Sequence, residues 1–371
     1  MDFYKRKTFS LLLLFCCIGV LSVFLSSFFY FFYPLYTKAE YWIPEMMEAK
    51  NKRAQTIDSS KVIIASGSNC LFGVSTPVLE EKIHKKVLNL SLHAAMPLEF
   101  YAYLIKKYAK SGDFVILPLE FEYYARGEKP SDWEVTQFST WGKDYLSLFS
   151  EQKRFEIFKQ ALLTYPVRYP NILKKFPVRN LDQVHFSNPD AILSKHAYIA
   201  EYSNRYGEFC IDVMSALSEK QSFDYVDKSF KLSNAFKKTI INLNDYLKSN
   251  GVTMLVTLPV SVKCDTFNMD SPADHAKVVG LFSELNMLGI KTFGNPFFYN
   301  LDRKFFWDSR YHTNAKGAIL RTLFLADDFV SFYHGASGNS EPNSSYMLGK
   351  EAEASEIFDR YFELGYIEGG H

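Results

Sequence analysis

The chain has 371 residues, enough for one large domain with an insertion or for two domains of average size. Its 42 Lys and Arg residues nearly balance its 41 Asp and Glu residues, and no long run of one sign occurs, which disfavours a nucleic-acid-binding protein. Charged residues make up 22% and aromatic residues 17% of the chain, which excludes a chain that is disordered throughout.

An uncharged apolar segment near the N-terminus is the first element that the sequence predicts. No charged residue occurs from 8 to 37, and the apolar stretch 9–36 is longer than the ~20 residues that a bilayer core requires. The stretch ends among tyrosines, as an aromatic interface belt does, and it lacks the small-residue cleavage site of a signal peptide. We therefore predict that residues 1–37 form a cytoplasmic tail and an uncleaved transmembrane anchor.

The charges that flank this segment predict its orientation. Basic residues at positions 5–7 precede it, whereas acidic residues beginning with Glu40 follow it. The positive-inside rule then places the N-terminus in the cytoplasm and the rest of the chain outside, in a periplasm or at the cell surface. Three cysteines, Cys70, Cys210 and Cys264, would lie outside, and this odd number permits at most one bridge among them. Whether Cys210 and Cys264 are bridged stays open.

Alternating apolar runs and helical patterns predict a parallel α/β sheet beyond a polar stalk at 38–60. The predicted strands are 61–66, 86–91, 113–119, 252–260 and 290–293. The predicted helices that separate or follow them are 78–85, 98–110, 273–288 and 315–332. Strands that alternate with helices are typical of a three-layer α/β/α fold, which we assign to residues 61–335.

Two further segments interrupt or follow this pattern. Residues from about 120 to 223 are rich in aromatic residues and proline and include helical patches such as 152–163. We predict a largely helical insertion, which either lies over the carboxyl edge of the sheet, where such folds bind ligands, or serves structural packing alone. Residues 336–371 begin with a segment rich in Gly, Ser, Asn and Glu and are predicted to form a flexible C-terminal tail.

A turn of small residues after the first predicted strand is the first candidate for chemistry. Gly67, Ser68 and Asn69 follow that strand and lead toward a helix. A side chain on such a turn projects beyond the sheet edge, near free backbone N–H groups that can stabilise an oxyanion. Ser68 is therefore the candidate nucleophile, although a turn of ordinary turn residues is a weak signal by itself.

A histidine ahead of the last predicted helix strengthens this interpretation. Asp308 precedes His312 by four residues, close enough to turn back and orient the imidazole as the acidic member of a triad does. His312 stands just before a helix that Thr313 or Asn314 would cap. A second histidine, His93, follows the second predicted strand at the same edge as Ser68, where it either lines the site or packs within its loop.

The order of these residues resembles that of the SGNH/GDSL hydrolase superfamily. In that family the serine follows the first strand, and an Asp–His pair precedes the final helix. The resemblance covers roughly 61–332 without the insertion and implies that Ser68 is the nucleophile, His312 the general base and Asp308 the orienting acid. Three features depart from the family pattern. Gly67 stands where an Asp usually precedes the serine, and Gly73 lies one position further along than the family's following glycine. Three residues instead of two separate Asp308 from His312.

The resemblance also implies where the oxyanion donors would lie. The family uses the backbone N–H of the serine, a glycine after the second strand and an asparagine after the third strand. Ala94 occupies about the position of that glycine, and its backbone N–H would serve equally. No asparagine follows the third strand, so the third donor is absent or comes from elsewhere, with Asn69 as one candidate. Glu120 and Glu122, which do follow that strand, would either bind a substrate hydroxyl or be solvated.

The anchor and the triad together indicate a function at a membrane. The sequence is similar to membrane-anchored SGNH-like proteins of envelope polymer modification, which receive an acyl group from a multi-spanning MBOAT-type acyltransferase. This resemblance implies an O-acyltransferase, with acetyl as the expected acyl group, that modifies an extracytoplasmic polysaccharide or related envelope polymer through an acyl-serine intermediate. Two alternatives remain open: an esterase or deacetylase that uses water as acceptor, and a catalytically degenerate SGNH domain that serves as a scaffold.

Other chemistries have no support in the sequence. Neither a phosphate-binding Gly-x-x-x-x-Gly-Lys loop nor a dinucleotide-binding Gly-x-Gly-x-x-Gly turn occurs. No cluster of cysteines and histidines has the spacing of a metal site, and Cys70 is interpreted as a small packed residue. We therefore predict neither a cofactor nor a metal.

Overall fold

The structure is a computed structural model that describes residues 2–31, 39–168, 203–209, 211–212, 214–225, 231–335, 343–364 and 368–369. The chain divides into two compact units. One consists of Met1–Tyr41 and Pro130–Phe186, and the other of Trp42–Lys129 and Ser187–His371. The second unit contains the sheet and all the candidate site residues.

A parallel sheet of five strands forms the centre of the second unit, as predicted. Its strands are β1 (Lys61–Ile64), β2 (Lys86–Asn89), β3 (Phe114–Pro118), β4 (Thr253–Thr257) and β5 (Lys291–Thr292). Their order in the sheet is β2-β1-β3-β4-β5, and every neighbouring pair is parallel. All five carboxyl ends therefore lie at one edge.

Side chains alternate between the two faces of the sheet along each strand, and helices bury both faces. Val62, Ile64 and Ile116 face one core, which includes Leu79 from helix Thr76–Ile83 and Leu325 from helix Ala315–Tyr333. The opposite face is covered by helices Leu98–Tyr108 and Asn234–Ser249, which pack against each other, the second also against β4. The predicted three-layer α/β/α fold is thus confirmed.

The remaining described elements are shorter or lie outside the sheet. The other helices are Asp2–Phe31, Trp42–Gln55, Ser68–Gly73, Glu122–Ala125, Asp132–Phe138, Glu151–Arg168, Pro272–Met287 and Ser344–Glu363. Turns of 3-10 helix occur at Lys143–Leu148, Pro296–Tyr299 and Arg303–Phe305. Two short parallel pairs join Ile211–Asp212 to Glu368–Gly369 and Ser261–Val262 to Asn300–Leu301.

The segment predicted as a stalk is instead part of the sheet-containing unit from Trp42 onward. Helix Trp42–Gln55 buries Ile43, Met46 and Lys50. The Lys50 ammonium donates to the carbonyl oxygens of Asn89 and Gly207, at 2.9 and 2.6 Å, and burial lowers its pKa to about 8. Few of the residues in this helix are apolar, so its sequence did not indicate that one side of it is buried.

The C-terminal prediction is also corrected over part of its length. Residues 344–363 form a helix that packs against helix Ala315–Tyr333 and buries Ile357, Phe358 and Tyr361. The apolar spacing of these three residues is that of one helix face, so the segment is ordered by the same rule that orders the core. Residues 336–342 lie outside the described residues.

The insertion begins with the helical elements that the sequence predicts. The predicted helix 152–163 is confirmed within Glu151–Arg168. Residues 169–202 and Cys210 lie outside the described residues, and with them the question of a Cys210–Cys264 bridge. The placement of the insertion over the carboxyl edge of the sheet stays a prediction.

The N-terminal helix Asp2–Phe31 is long and apolar enough to cross a bilayer. Its segment Thr8–Leu25 has a mean hydropathy of 2.6. A signal sequence has a similar length and composition, so the helix by itself establishes the capacity to span and leaves its retention and orientation to experiment.

Candidate active site

Ser68 lies at the carboxyl edge of the sheet, where the sequence placed it. β1 ends at Ile64, three small residues follow, and Ser68 is the first residue of the short helix Ser68–Gly73. The turn is tied to β2 and β3, because Ala65 N–H donates to Ile116 O and Leu92 N–H donates to Ser66 O. Ser68 is 7% exposed, so its hydroxyl sits in a nearly enclosed position.

The loop that carries Asp308 and His312 is a closed turn ahead of the last sheet-covering helix. Phe306 and Thr313 form an antiparallel bridge, and Trp307 N–H donates to His312 O at 2.8 Å. This closure folds the carboxylate of Asp308 back onto the imidazole. The loop ends where the Asn314 side chain caps the helix by accepting from Gly317 N–H at 3.0 Å.

The structure brings Ser68, His312 and Asp308 together in a chain of two hydrogen bonds. His312 Nε2 lies 2.8 Å from Ser68 Oγ, and His312 Nδ1 lies 2.8 Å from Asp308 Oδ1. The first contact joins residues 244 positions apart. The spacing of three residues between Asp308 and His312, one more than in the family pattern, is accommodated by the bridged loop.

Packing fixes the plane of the imidazole. The ring of His312 stacks on the ring of Phe72, with centroids 4.3 Å apart and an interplanar angle of 19°. Phe72 belongs to the helix that begins with Ser68, and its carbonyl oxygen accepts a hydrogen bond of 2.9 Å from Thr313 Oγ1. Phe72 thus holds the helix that begins with Ser68 against the loop that carries Asp308 and His312.

In this geometry Ser68 can act as a nucleophile, His312 as a general base and Asp308 as the acid that orients the imidazole. With Asp308 accepting from Nδ1–H, the neutral imidazole presents an unprotonated Nε2 to the Ser68 hydroxyl. Nε2 can then take the hydroxyl proton as Oγ attacks a carbonyl carbon, and Asp308 stabilises the imidazolium that forms. The side chains of His312 and Asp308 are 10% and 18% exposed, which limits competition from solvent.

The carboxylate of Glu120 holds the turn that carries Ser68, and we call this set of contacts the clamp. Glu120 follows β3 and is fully buried, contrary to the solvated alternative. Its Oε2 accepts from Gly67 N–H at 3.1 Å and its Oε1 accepts from Asn69 N–H at 3.0 Å, so the carboxylate bridges the two residues that flank Ser68. Burial raises the pKa of Glu120, and the hydrogen bond from Asn69 N–H partly opposes that shift.

The clamp explains the residue at position 67. A Cβ atom at Gly67 would overlap the Glu120 carboxylate and lie 2.6 Å from Ala94 Cα. Any side chain there would therefore push the loop after β2 away or displace the carboxylate. The Gly67 that departs from the family motif is the residue that this arrangement requires.

Asn69 does not act as an oxyanion donor in this structure, which corrects the expectation from the sequence. Its two amide hydrogens are donated to Ser66 Oγ at 2.7 Å and to Pro118 O at 3.0 Å, while its backbone N–H goes to Glu120. Its Oδ1 accepts from Arg321 Nη2 at 3.3 Å. Since all its donors are taken inside the fold, Asn69 holds the turn and leaves the oxyanion to other groups.

Arg321, which no pattern in the sequence singled out, is a second buried charged residue beside this turn. It is fully buried in the middle of helix Ala315–Tyr333 and also donates to Gly73 O at 3.0 Å. Asn69 therefore stands between the guanidinium of Arg321 and the carboxylate of Glu120. A lone arginine on the apolar stripe of a core-facing helix, and a glutamate just after a buried strand, were the available signals.

Ala94 and His93 lie in the loop after β2, at the same edge. The backbone of Ala94 packs directly against Gly67, next to Ser68, which is where a second oxyanion donor would be needed. His93 is half-buried, and its Nδ1 accepts from Ala95 N–H at 3.0 Å within the loop. The ring of His93 is 6.4 Å from that of Trp42, so the side chain also packs against helix Trp42–Gln55.

A charged and aromatic rim adjoins the Asp308–His312 loop. Glu122 forms an ion pair with Arg310, and its other oxygen accepts from the Tyr311 hydroxyl at 2.9 Å. The Arg310 guanidinium lies 5.3 Å from the ring centre of Tyr225. Glu122 is thus paired with the loop at the rim, and its side chain is also 40% exposed, so contact with solvent is part of its environment.

Two other expectations concern the surroundings of Ser68. Cys70 is fully buried, and burial raises the pKa of its thiol to about 11, so it stays protonated and packed near neutral pH. Within the described ranges, no three His, Cys, Asp or Glu side chains are grouped so that they could hold a metal ion.

Comparisons with known proteins do not assign the chain to a family. No family model matches the chain, and no curated protein matches it. Among solved structures, the chain is similar to the crystal structure of the protein YxiM from Bacillus subtilis, with 12% sequence identity and a TM-score of 0.26. The match covers 83% of this chain and 57% of YxiM, so the chain spans little more than half the length of that protein. The assignment of chemistry to the site therefore rests on its geometry.

Proposed function

We propose that the protein is a membrane-anchored, serine-dependent O-acyltransferase of the SGNH type that modifies an extracytoplasmic polysaccharide or related envelope polymer. The observation that carries the proposal is the hydrogen-bonded array of Ser68, His312 and Asp308 at the carboxyl edge of the sheet. The apolar helix Asp2–Phe31 supports a site near a bilayer. The basic residues 5–7 ahead of the apolar segment support an N-terminus in the cytoplasm and the rest of the chain outside.

The reaction would proceed in two acyl transfers. In the first, Ser68 Oγ bonds to the carbonyl carbon of the donor while His312 Nε2 takes the hydroxyl proton, and the leaving group departs with that proton. In the second, a hydroxyl of the acceptor attacks the acyl-serine, gives its proton to His312, and leaves as an ester while Ser68 is regenerated. Each transfer ends with the proton balance restored.

The oxyanion of each tetrahedral intermediate would be stabilised by backbone groups beside Ser68. The N–H of Ser68 is the first of its helix and has no intrahelical acceptor, and the backbone of Ala94 flanks the same point. Two donors in place of three are compatible with catalysis, because removal of one donor typically costs ~10²–10³-fold in rate.

The acyl donor would be supplied at the membrane. An anchored enzyme outside the cytoplasm has no cytoplasmic acyl carrier within reach, so a membrane protein must export the acyl group. A multi-spanning acyltransferase of the MBOAT type is the partner that we propose, and acetyl is the group that we propose it delivers.

The experiment uses the full chain in cells that make the acylated polymer. Ser68→Ala should abolish polymer acylation while the amount and the membrane location of the protein stay unchanged, and a fluorophosphonate should label the wild type but not this variant. Ser249→Ala, at an exposed serine on helix Asn234–Ser249, is the matched control and should behave as the wild type.

The outcomes separate the three candidate functions. Loss of acyl groups with Ser68→Ala supports transfer. A rise in acyl content would identify an esterase or deacetylase with water as acceptor, which uses the same array. An unchanged acyl content together with absent labelling of the wild type would identify a scaffold and overturn the proposal.

A further inference from the structure

An exposed apolar stripe runs along helix Glu151–Arg168. Phe155 and Phe158 are 62% and 63% exposed, and Leu162 is partly exposed. Their spacing of three and four residues places them on one side of the helix. We call these three side chains the Phe155 face.

The opposite side of the same helix is packed. Lys153, Ile157 and Ala161 are buried, and Lys153 Nζ forms a 2.9 Å ion pair with the buried Glu134. Phe149, just before the helix, packs edge-on against Phe138 with ring centres 4.8 Å apart. These contacts fix the rotation of the helix about its axis. The Phe155 face therefore points away from the side chains that the helix buries.

The unit that presents this face is also joined to the chain just after the apolar N-terminal helix. Glu40 N–H donates to Gln137 Oε1 at 2.8 Å, and Trp133 Nε1 donates to Glu40 Oε1 at 2.9 Å. Only residues 32–38 separate the end of helix Asp2–Phe31 from Ala39, which bounds the connection at about 29 Å.

These observations favour one occupant for the Phe155 face. We propose that this face lies on the lipid surface of the membrane that holds helix Asp2–Phe31, with its aromatic rings among the headgroups. The proposal rests on the membrane anchoring proposed above but not on acyl transfer. A helix with one packed side and aromatic and aliphatic side chains on the other is the form that interfacial helices take.

The charges beside the face fit the same surface. Arg154 and Lys159 flank the stripe and are exposed or partly exposed, and their pairs with Glu151 and Glu156 are long, at 3.9 and 3.4 Å. Exposed pairs of this kind contribute little stability, so both cations are available to lipid phosphates. The anchor and the Phe155 face would then attach the first compact unit to the membrane at two points and restrict its rotation there.

The test is photocrosslinking of the full chain in liposomes of phosphatidylcholine and phosphatidylglycerol. Phe155 and Phe158 are each replaced by p-benzoylphenylalanine, and Tyr246, an aromatic residue that is 40% exposed on the sheet-containing unit, is replaced as the control. After irradiation, lipid adducts at Phe155 and Phe158 should exceed those at Tyr246 by at least about five-fold. Thermal unfolding of each variant verifies that it is folded.

Three results would overturn the proposal. One is equal lipid adduct formation at all three positions, and another is crosslinking of Phe155 and Phe158 to the chain itself. The third is crosslinking of both to a second protein when the experiment is repeated in native membranes. The intact mass of the recovered chain shows whether the anchor is retained, and adding Ser68→Ala to each variant should leave the lipid adducts unchanged. Failure of the lipid contact is thereby distinguished from failure of the proposed catalysis.

Discussion

Strands β1 and β3 bury charged side chains at both ends, but the two ends use different partners. At the amino end, Lys61 Nζ lies 2.6 Å from Asp113 Oδ2, and Asp113 Oδ1 also accepts from Lys61 N–H at 2.9 Å. At the carboxyl end, Glu120 is held by the uncharged donors Gly67 N–H and Asn69 N–H. Opposite charges at one end fix the register of two strands, whereas a carboxylate at the other end fixes the turn that carries Ser68.

The difference follows from what each end must accomplish. The ion pair at the amino end satisfies both charges, and Asp113 also accepts from the N–H groups of Lys61 and Lys110, but no candidate site residue lies at that end. A carboxylate that accepts from two backbone N–H groups defines the position of those groups, and with them the residue between them. We therefore expect changes at the amino end to affect stability and changes at the carboxyl end to affect reactivity.

The largest effect is expected at the carboxyl edge itself. His312→Ala removes the base that takes the Ser68 proton, and the rate of fluorophosphonate labelling should fall at least ~10³-fold. The melting temperature should change little by comparison. His334→Ala, on an exposed histidine that directly follows helix Ala315–Tyr333, is the control. Labelling of His312→Ala at the rate of the wild type would remove His312 from the reaction.

The next largest effect is expected at the amino end and on stability. Asp113→Ala leaves the ammonium of Lys61 buried and unpaired, which should lower the free energy of unfolding by ~3–5 kcal/mol. At a temperature where the variant is folded, its labelling rate should equal that of the wild type. Asp270→Ala breaks the exposed pair with Lys263 and should cost less than about 1 kcal/mol. If Asp113→Ala proved as mild as this control, the amino end would not have the structural role described.

Glu120→Gln tests the clamp with almost no change in volume. One carboxylate oxygen becomes an NH2 group that faces a backbone N–H, so one of the two bonds to the turn is lost. The labelling rate should fall by ~10²-fold, because small displacements of a nucleophile are costly. Stability should fall by about 1–3 kcal/mol. Glu208→Gln, at another fully buried carboxylate, should lower stability in the same range without slowing labelling.

A pH experiment, for which no effect on reactivity is expected, uses a carboxylate near the end of β5. Burial raises the pKa of Asp328 from its ordinary 3.8 to about 7, against hydrogen bonds from Tyr299 and Asn295. Between about pH 4 and pH 7 the folded state therefore holds more protons than the unfolded state, so stability falls as pH rises through that window. Asp328→Asn should remove this component.

The measurement is the difference in melting temperature between the wild type and Asp328→Asn at pH 5 and pH 8. The variant should gain stability relative to the wild type at pH 8. Labelling of Ser68 should be the same in both proteins, because Asp328 contacts none of the three residues of the array. A difference in melting temperature that is independent of pH would contradict the assignment of a raised pKa.

The sequence was sufficient for elements whose signals are local. Each strand of the sheet is a short apolar run, and each covering helix carries its own apolar spacing, so neither required knowledge of its neighbours. The pairing of Asp308 with His312 was predictable for the same reason, since both lie in one bridged loop. The helix at 42–55 was missed because most of its residues are polar and only the fold shows that Ile43, Met46 and Lys50 are buried.

The residues that hold Ser68 in place could not be found in this way. Glu120 is 51 positions from Asn69, and Arg321 is 252 positions from it, so no local pattern connects them. The sequence by itself determined the strands, the covering helices, the apolar N-terminal segment and the candidates for nucleophile, base and acid. Only the tertiary structure decided the strand order, the inward role of Asn69 and the partners of Glu120. A hydrogen bond between distant residues forms because the packing of the sheet and its helices brings them together, and that packing is a property of the whole chain.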